Sequence, residues 1–523
     1  MFRRSVLLLL AALTLPASAQ FTSSKVSLYT NWLPSVFGSS SGNDCWGYVS
    51  PSGREYALVG LNNKVAFIEV TNPSAPVLVG TVPHPSSSWG DIKVYGRYAY
   101  IVAESTGSGL QVVDMANIDS VGSTPGSVTL VRTISSPGRS HNLHIDEVSG
   151  YLYTLGSREG TGWTTCWSLA NPSNPVRVGP SSLSGTAYLH DCQVKTYTSG
   201  PLAGKQIMFG ASEGRGLDIY DVTNKNAVVL MKRITYPGVA YSHQGWLSED
   251  AKYFYLDDEL DEQNLGSVQK TFVFDVSDPA NAFLAGTFTR NEVNIDHNQY
   301  TKNGFIFQAN YTRGLRIYDG NDDPISPAFV GFFDTHPETN GTAFEGSWSN
   351  YPFLPSGNVV VSDINRGFFL VNVSQATQRL NVTGTVDLEA FPPGTSGQIV
   401  DIEVRRTGQP TIFKEVALSP SGSFAFTLNN TLAGANCTIT VQGTHWLRKA
   451  TSVTLGPSGF SGLNVSLING DIDGDNAIDI GDYAILSSTY GTTTPLGDLN
   501  GDGDVDISDY AILSYNFGLN GDL

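Results

Sequence analysis

Positive charge, cysteine and long apolar runs are all scarce in this chain, and each shortage removes a class of protein. Thirty Lys and Arg stand against 48 Asp and Glu in 523 residues, a formal net charge of −18. That balance argues against nucleic-acid binding, because a phosphate backbone calls for a basic face. Four cysteines, Cys45, Cys166, Cys192 and Cys437, are too few for a disulfide scaffold. Cys166 and Cys192 fall in neighbouring repeats, and two readings stand open for them: a disulfide, which an oxidising compartment permits, or buried free thiols. No HExxH, nucleophile elbow or P-loop supports a catalytic reading. Charged residues are only 15%, whereas Gly numbers 55 and aromatics reach 11%, the balance of an all-β, turn-rich extracellular protein.

The one apolar run of note is N-terminal. Arg3 and Arg4 precede an apolar stretch at 6–15, and Ala17-Ser18-Ala19 forms a small-x-small cleavage site, so residues 1–19 read as a signal peptide and the mature chain is expected to start at Gln20. The stretch is shorter than the ~20 residues that span a bilayer. A secreted or cell-surface location follows, with no transmembrane segment in the mature chain.

What the chain does have is repetition. Strand-like segments ending in a polar residue recur as VAFIEV, LQVVDM, CWSLA, LDIYDV, FVFDV, LRIYD and FLVNV, their aligned positions being Glu69, Asp114, Ser168, Asp221, Asp275, Asp319 and Asn372. The gaps are 45, 54, 53, 54, 44 and 53 residues. A period in this range, filled with short strands and Gly-rich turns, predicts a β-propeller, here of seven blades over residues 20–376. In the second repeat, period-two alternation places strands at 89–95, 98–103, 109–115 and 128–134. The seventh repeat has three, at 346–351, 358–362 and 367–373; residues 25–31 alternate suitably to supply its outer strand and close the ring, leaving no open edge.

The first strands carry a second signature. His141, His190, His243 and His297 fall at their starts in four consecutive repeats, where blades line the central channel. With His144, Asp91, Asp191 and Asp296 nearby, a ring of imidazoles and carboxylates is expected at one mouth. Two readings stand open: a transition-metal or acid–base centre built from these residues, or a wet channel filled by groups that satisfy backbone partners. The acidic run at 257–262 is expected to be a solvated loop, with calcium binding as its alternative. The segments DCWGY, SHNLHID, HDCQV, SHQGWLSEDAKYFYLDDELDE and DHNQY, with the LDIYDV-like strands, resemble the choice-of-anchor B family with LVIVD-type repeats, over roughly 21–373. The resemblance implies an exported, surface-displayed propeller and brings no reaction or catalytic residue with it.

Residues 377–469 change character. Strand-like pieces at 379–388, 400–407, 412–418, 423–428, 437–443, 450–455 and 463–467 predict a β-sandwich. SGQIVDIEVRR, SPSGSFAFTL and CTITVQGTHWLRKA resemble the carboxypeptidase regulatory-like, transthyretin-like sandwich. His445 and Trp446 read as packing or loop residues rather than a sugar platform.

Residues 470–523 hold eleven Asp and no Lys or Arg. The segments GDIDGDNAIDIGDYAIL and GDLNGDGDVDISDYAIL space oxygen donors as a calcium loop requires, at positions 1, 3, 5, 9 and 12 with a carbonyl at 7. The first loop offers Asp471, Asp473, Asp475, the carbonyl of Ala477, Asp479 and Asp482. The second offers Asp498, Asn500, Asp502, the carbonyl of Asp504, Asp506 and Asp509. Asn476 and Gly503 suit the left-handed position 6, and a helix is expected after each loop. The duplicated loop–helix resembles a type I dockerin, which implies two calcium ions and a cohesin-like partner. By that resemblance the partner-binding residues are Ile480, Gly481, Ile507 and Ser508; the isoleucines depart from the small hydroxyl pairs of cellulose-degrading complexes, which leaves the cohesin's identity open.

The whole chain therefore reads as mostly β, followed by a small α-helical module with paired EF-hand-like loops. The expected function is an exported, non-catalytic binding protein displayed through its calcium module, with a glycan or a cell-surface protein as a further partner. The alternative is a polysaccharide-active hydrolase or lyase with its centre at the channel mouth.

Overall fold

The computed structural model describes residues 21–119, 126–157, 164–180, 183, 187–392 and 394–523; the expected signal peptide lies outside them. From residue 42 to 372 the chain builds antiparallel sheets of four strands, one per sequence repeat. In the second repeat the strands are Gly90–Tyr95, Tyr98–Ala103, Leu110–Asp114 and Thr129–Ile134, each within a residue of its sequence expectation. The first three are largely buried and the fourth is exposed, so each sheet runs from an interior strand to a solvated rim.

The sheets follow one another around an axis. Each first strand packs against that of the next repeat, and Ser347–Tyr351 meets Gly42–Val49 to complete the round. The seventh sheet is made whole from the other end of the chain: Ser27–Trp32 pairs antiparallel with Gly367–Asn372, Ser27 opposite Asn372 and Trp32 opposite Phe368. A further short strand, Ser23–Ser24, pairs with Ala328–Phe333. This is a β-propeller.

Between sheets the core is aliphatic and aromatic. Phe209, Leu217 and Ile219 of one sheet pack with Phe254, Phe272 and Phe274 of the next, all nearly inaccessible. Each such side chain contributes roughly 1.5–3 kcal/mol through burial. Cys45, Cys166, Cys192 and Cys437 are buried free thiols, so Cys166 and Cys192 take the second of their two readings.

Beyond residue 376 two sheets share one core that includes Leu380, Ile402, Phe426, Ile439 and Leu463. One orders Ser423–Asn429, Arg379–Leu388 and Gly459–Leu467; the other orders Ile412–Ala417, Ile399–Arg405, Asn436–Gly443 and Trp446–Thr454. Trp446 belongs to this core, and its indole N–H donates to the Glu389 carbonyl at 3.3 Å. Two helices, Ile480–Thr489 and Ile507–Asn516, end the chain. Leu447, Ile472, Ile478, Leu486, Leu499, Val505 and Leu513 bury a small core beneath them. No helix among the described residues is long and apolar enough to cross a membrane.

Candidate functional site

Four imidazoles stand side by side at one mouth of the channel. Ring centroids are 4.4 Å apart for His141 and His190, 4.0 Å for His190 and His243, and 4.3 Å for His243 and His297. Trp348 continues the arc, 4.9 Å from His297, and Trp89 flanks His141. Each His sits at the start of a first strand, so the propeller's rotation sets equivalent side chains at one height.

The Nδ1 atoms are tied down. Nδ1 of His190 donates to the His243 carbonyl at 3.1 Å and Nδ1 of His297 to the Trp348 carbonyl at 2.5 Å. His243 Nδ1 is 3.1 Å from Asp257 Oδ1, and His141 Nδ1 is 3.0 Å from Glu104 Oε2. A carbonyl only accepts, so His190 and His297 carry their proton on Nδ1 and leave Nε2 with a lone pair. Burial, acting first, holds His190 and His243 well below the ordinary imidazole range and brings His297 down to about 3.

The carboxylate facing the arc is Glu259. Its Oε1 is 3.5 Å from His297 Nε2 and its Oε2 is 3.8 Å from His243 Nε2. Tyr311 donates its hydroxyl to Oε1 at 2.7 Å. Burial pushes the Glu259 carboxyl up to about 7. With Trp89, Glu104, Tyr188, Tyr241 and Trp348, these groups line a cavity of about 430 Å³.

The acidic run at 257–262 is therefore not the solvated loop expected, nor an open calcium loop. Asp257, Asp258, Asp261 and Glu262 are buried. Asp257 also accepts from Gln244 N and Gln299 Nε2, and Asp258 accepts from Tyr236 Oη, Ala240 N and Tyr241 N. The run ends the second strand Tyr253–Asp258, whose last residues turn toward the channel beside the first strand. Glu104 occupies the same place in the second repeat, after Tyr98–Ala103. An acid at the end of a repeat's second strand was the available signal for both.

Four expected members of the ring lie elsewhere. His144 is three residues down its strand, against Trp246 and 3.3 Å from the Val194 carbonyl. It lines a second cavity, of about 320 Å³, formed by the far ends of the same first strands, and burial lowers it to about 4. Asp191 is half-buried in the channel, accepting from Cys192 N at 2.6 Å; desolvation, then the charge of Asp91, raises it to about 8. Asp91 itself accepts from Ile92 N, Leu143 N and Lys93 Nζ. Asp296 accepts from Gln269 Nε2 at 2.9 Å. These Asp side chains are held by backbone, lysine and glutamine donors, while the four His side chains at the strand starts reach the mouth.

The C-terminal loops are organised around their last acids. Asp482 accepts from Ile472, Asp473 and Asp479 backbone N–H groups, and Asp509 from those of Leu499, Asn500 and Asp506. Asp479 and Asp506 cap the helices in reciprocal capping boxes. Asn476 has φ 72° and Gly503 φ 98°, the left-handed conformation position 6 requires. Asp471, Asp473 and Asp475 each bring an oxygen within 4.8 Å of the others. In the second loop Asp498 accepts from Gly501 and Gly503, Asn500 and Asp502 accept from Asp502 and Asp504 N–H groups, and Asp506 accepts from Ser508 N. Ile478 and Val505, at position 8, are buried between the loops.

A family model for the LVIVD repeat matches residues 49–83 and 88–134. The chain thus carries LVIVD repeats within a β-propeller. No curated protein matches it. Among solved structures, a functionally unknown protein from Desulfotomaculum acetoxidans DSM 771 is similar over 58% of this chain and 87% of its own, at 13% identity and a TM-score of 0.39. A protein from Lactobacillus plantarum is similar over 74% of this chain and 100% of its own, at 11% identity and a TM-score of 0.42.

Proposed function

We propose that the protein is an exported binding protein of the choice-of-anchor B kind: a seven-bladed propeller, a β-sandwich, and a type I dockerin that folds on two calcium ions and captures a cohesin-like module. The observation that carries this reading is the duplicated loop–helix. Its carboxylates converge in a segment with no basic residue, a charge arrangement that a bound cation stabilises and its removal destabilises. Ile480 and Ile507 open the two helices and are 68% and 63% exposed. Tyr483 and Tyr510 meet edge-on at 6.0 Å, so the two units present matching faces. Exposed apolar side chains in equivalent positions suit capture of a partner in either of two orientations.

The test is calorimetric titration of the full chain with a panel of type I cohesin modules in millimolar calcium, repeated in chelator. Calcium-dependent binding that Ile480→Asp with Ile507→Asp abolishes is expected. Calcium that leaves helicity unchanged, or binding indifferent to both substitutions, overturns the reading.

A second reading is favoured by one observation: Glu259 and the imidazoles face a cavity walled by Trp89 and Trp348, which sets acid–base groups beside flat apolar surfaces that stack on sugars. Under it the protein is a polysaccharide hydrolase or lyase. Release of reducing ends or unsaturated products from plant and algal polysaccharides, lost in Glu259→Gln, separates it from the first.

A further inference from the structure

We infer that the propeller mouth is a transition-metal site, with His243 Nε2, His297 Nε2 and Glu259 as its protein ligands and its open side turned to the 430 Å³ cavity. Three observations carry this, and none depends on the C-terminal module.

The first is spacing. Ligand atoms from the three residues lie within 4.8 Å of one another. The Glu259 oxygens are 3.5 and 3.8 Å from the two imidazole nitrogens, too far for hydrogen bonds. Bonds of about 2.0–2.2 Å to a tetrahedral ion place neighbouring ligand atoms about 3.3–3.6 Å apart. The carboxylate–imidazole separations stand at that edge length or about 0.2 Å beyond it, the spacing of groups gathered around an ion rather than bonded to each other.

The second is orientation. A metal-bound imidazole presents one nitrogen to the ion while its other N–H is held by a carbonyl or carboxylate. His297 is held by the Trp348 carbonyl and His243 by Asp257, and Asp257 is fixed in turn by N–H donors from Gln244 and Gln299. Both Nε2 atoms are thereby aimed at Glu259. The Tyr311 hydroxyl on Oε1 plays the same part for the carboxylate.

The third is donor type. Two imidazoles and one carboxylate, without thiolate, suit zinc, iron(II), manganese or cobalt, and the all-oxygen C-terminal loops suit calcium. Three protein ligands leave at least one coordination position toward the cavity, where an oxygen-bearing ligand can join the ion.

The experiment uses the full chain, stripped with chelator, saturated with calcium and titrated with cobalt(II). One tightly held equivalent with visible ligand-field absorption of a nitrogen-containing site is expected, since an all-oxygen site absorbs only weakly. Glu259→Gln and His297→Asn should each weaken it at least tenfold. Asp257→Asn, which alters the support of His243 without removing a proposed ligand, should weaken it about 10–100-fold. His144→Gln, in the other cavity, should leave it unchanged. Wild-type protein that holds no cobalt beyond the calcium sites overturns the inference, independent of how any variant folds; so does cobalt binding unaffected by Glu259→Gln and His297→Asn in variants that melt like wild type.

Discussion

Glu55 takes two hydrogen bonds from Ser356, 301 residues further along: the backbone N–H reaches Oε1 and the hydroxyl Oε2, each at 2.6 Å. The contact joins the first repeat to the last, at the seam where the round closes. At the other end of the same sheet, Asn31 donates to the carbonyls of Arg366 and Phe368, holding the N-terminal strand in register.

Removing the seam should open the ring. Glu55→Ala loses two charge-assisted hydrogen bonds and should cost about 3 kcal/mol, read as a shift in the denaturant midpoint. Deleting residues 21–32 goes further and bares the edge of Gly367–Asn372. Self-association in size-exclusion chromatography is the expected result; a monomer as stable as the parent would contradict the closure.

Asp322 binds the propeller to the sheets that follow. It pairs with Arg379 and with Lys414 Nζ at 2.8 Å, and accepts from Asn429 N and Nδ2. Arg379 also pairs with Asp319. Asp322→Ala leaves Lys414 without its carboxylate and Arg379 with Asp319 alone, a loss of about 3 kcal/mol. Calorimetry should show one cooperative transition splitting into two.

On the proposed reading of the C-terminal loops, calcium removal should act locally. Amide exchange in chelator is expected to rise across residues 470–523, while the strands between 42 and 372 stay protected. Asp482→Ala removes the acceptor of three backbone N–H groups and should cost about 3 kcal/mol at roughly 1 kcal/mol each, with calcium no longer restoring the first helix.

Asp191 sets a pH dependence of definite sign. Its folded carboxyl titrates near about 8 and its unfolded one near about 3.9. Between those values the native state binds more protons than the unfolded state, so this group's contribution to stability falls as pH rises. Asp191→Asn keeps an acceptor for Cys192 N and removes the titration. The variant should gain stability relative to wild type as pH climbs from 4 to 8, and little below 4; parallel profiles would refute the assignment.

Most strands were legible because a repeated, half-buried sheet writes its alternation into the chain many times over. Arg379–Leu388 and Tyr98–Ala103 fall where hydrophobic alternation places them. The Asp positions were harder to read. An acid at the start of a first strand points mid-channel, and one at the end of a second strand reaches the mouth, a difference of position in a twisted sheet and not of residue type. Glu259 looked like part of a solvated run because five acids in six residues normally are; here Tyr311, His243 and backbone donors surround them.

By itself, then, the sequence determined the repeat period, the strand pieces, the two loop–helix units with their regularly spaced acids, and the four histidines at equivalent strand starts, since each of these is local pattern or self-similarity. Only the tertiary structure decided which side chains meet: that Glu259 rather than Asp191 or Asp296 faces the imidazoles, and that His144 belongs to the opposite mouth. Such meetings are fixed by the rotation between neighbouring sheets and by which strand ends turn inward, and those are properties of packing around the axis that no single segment carries.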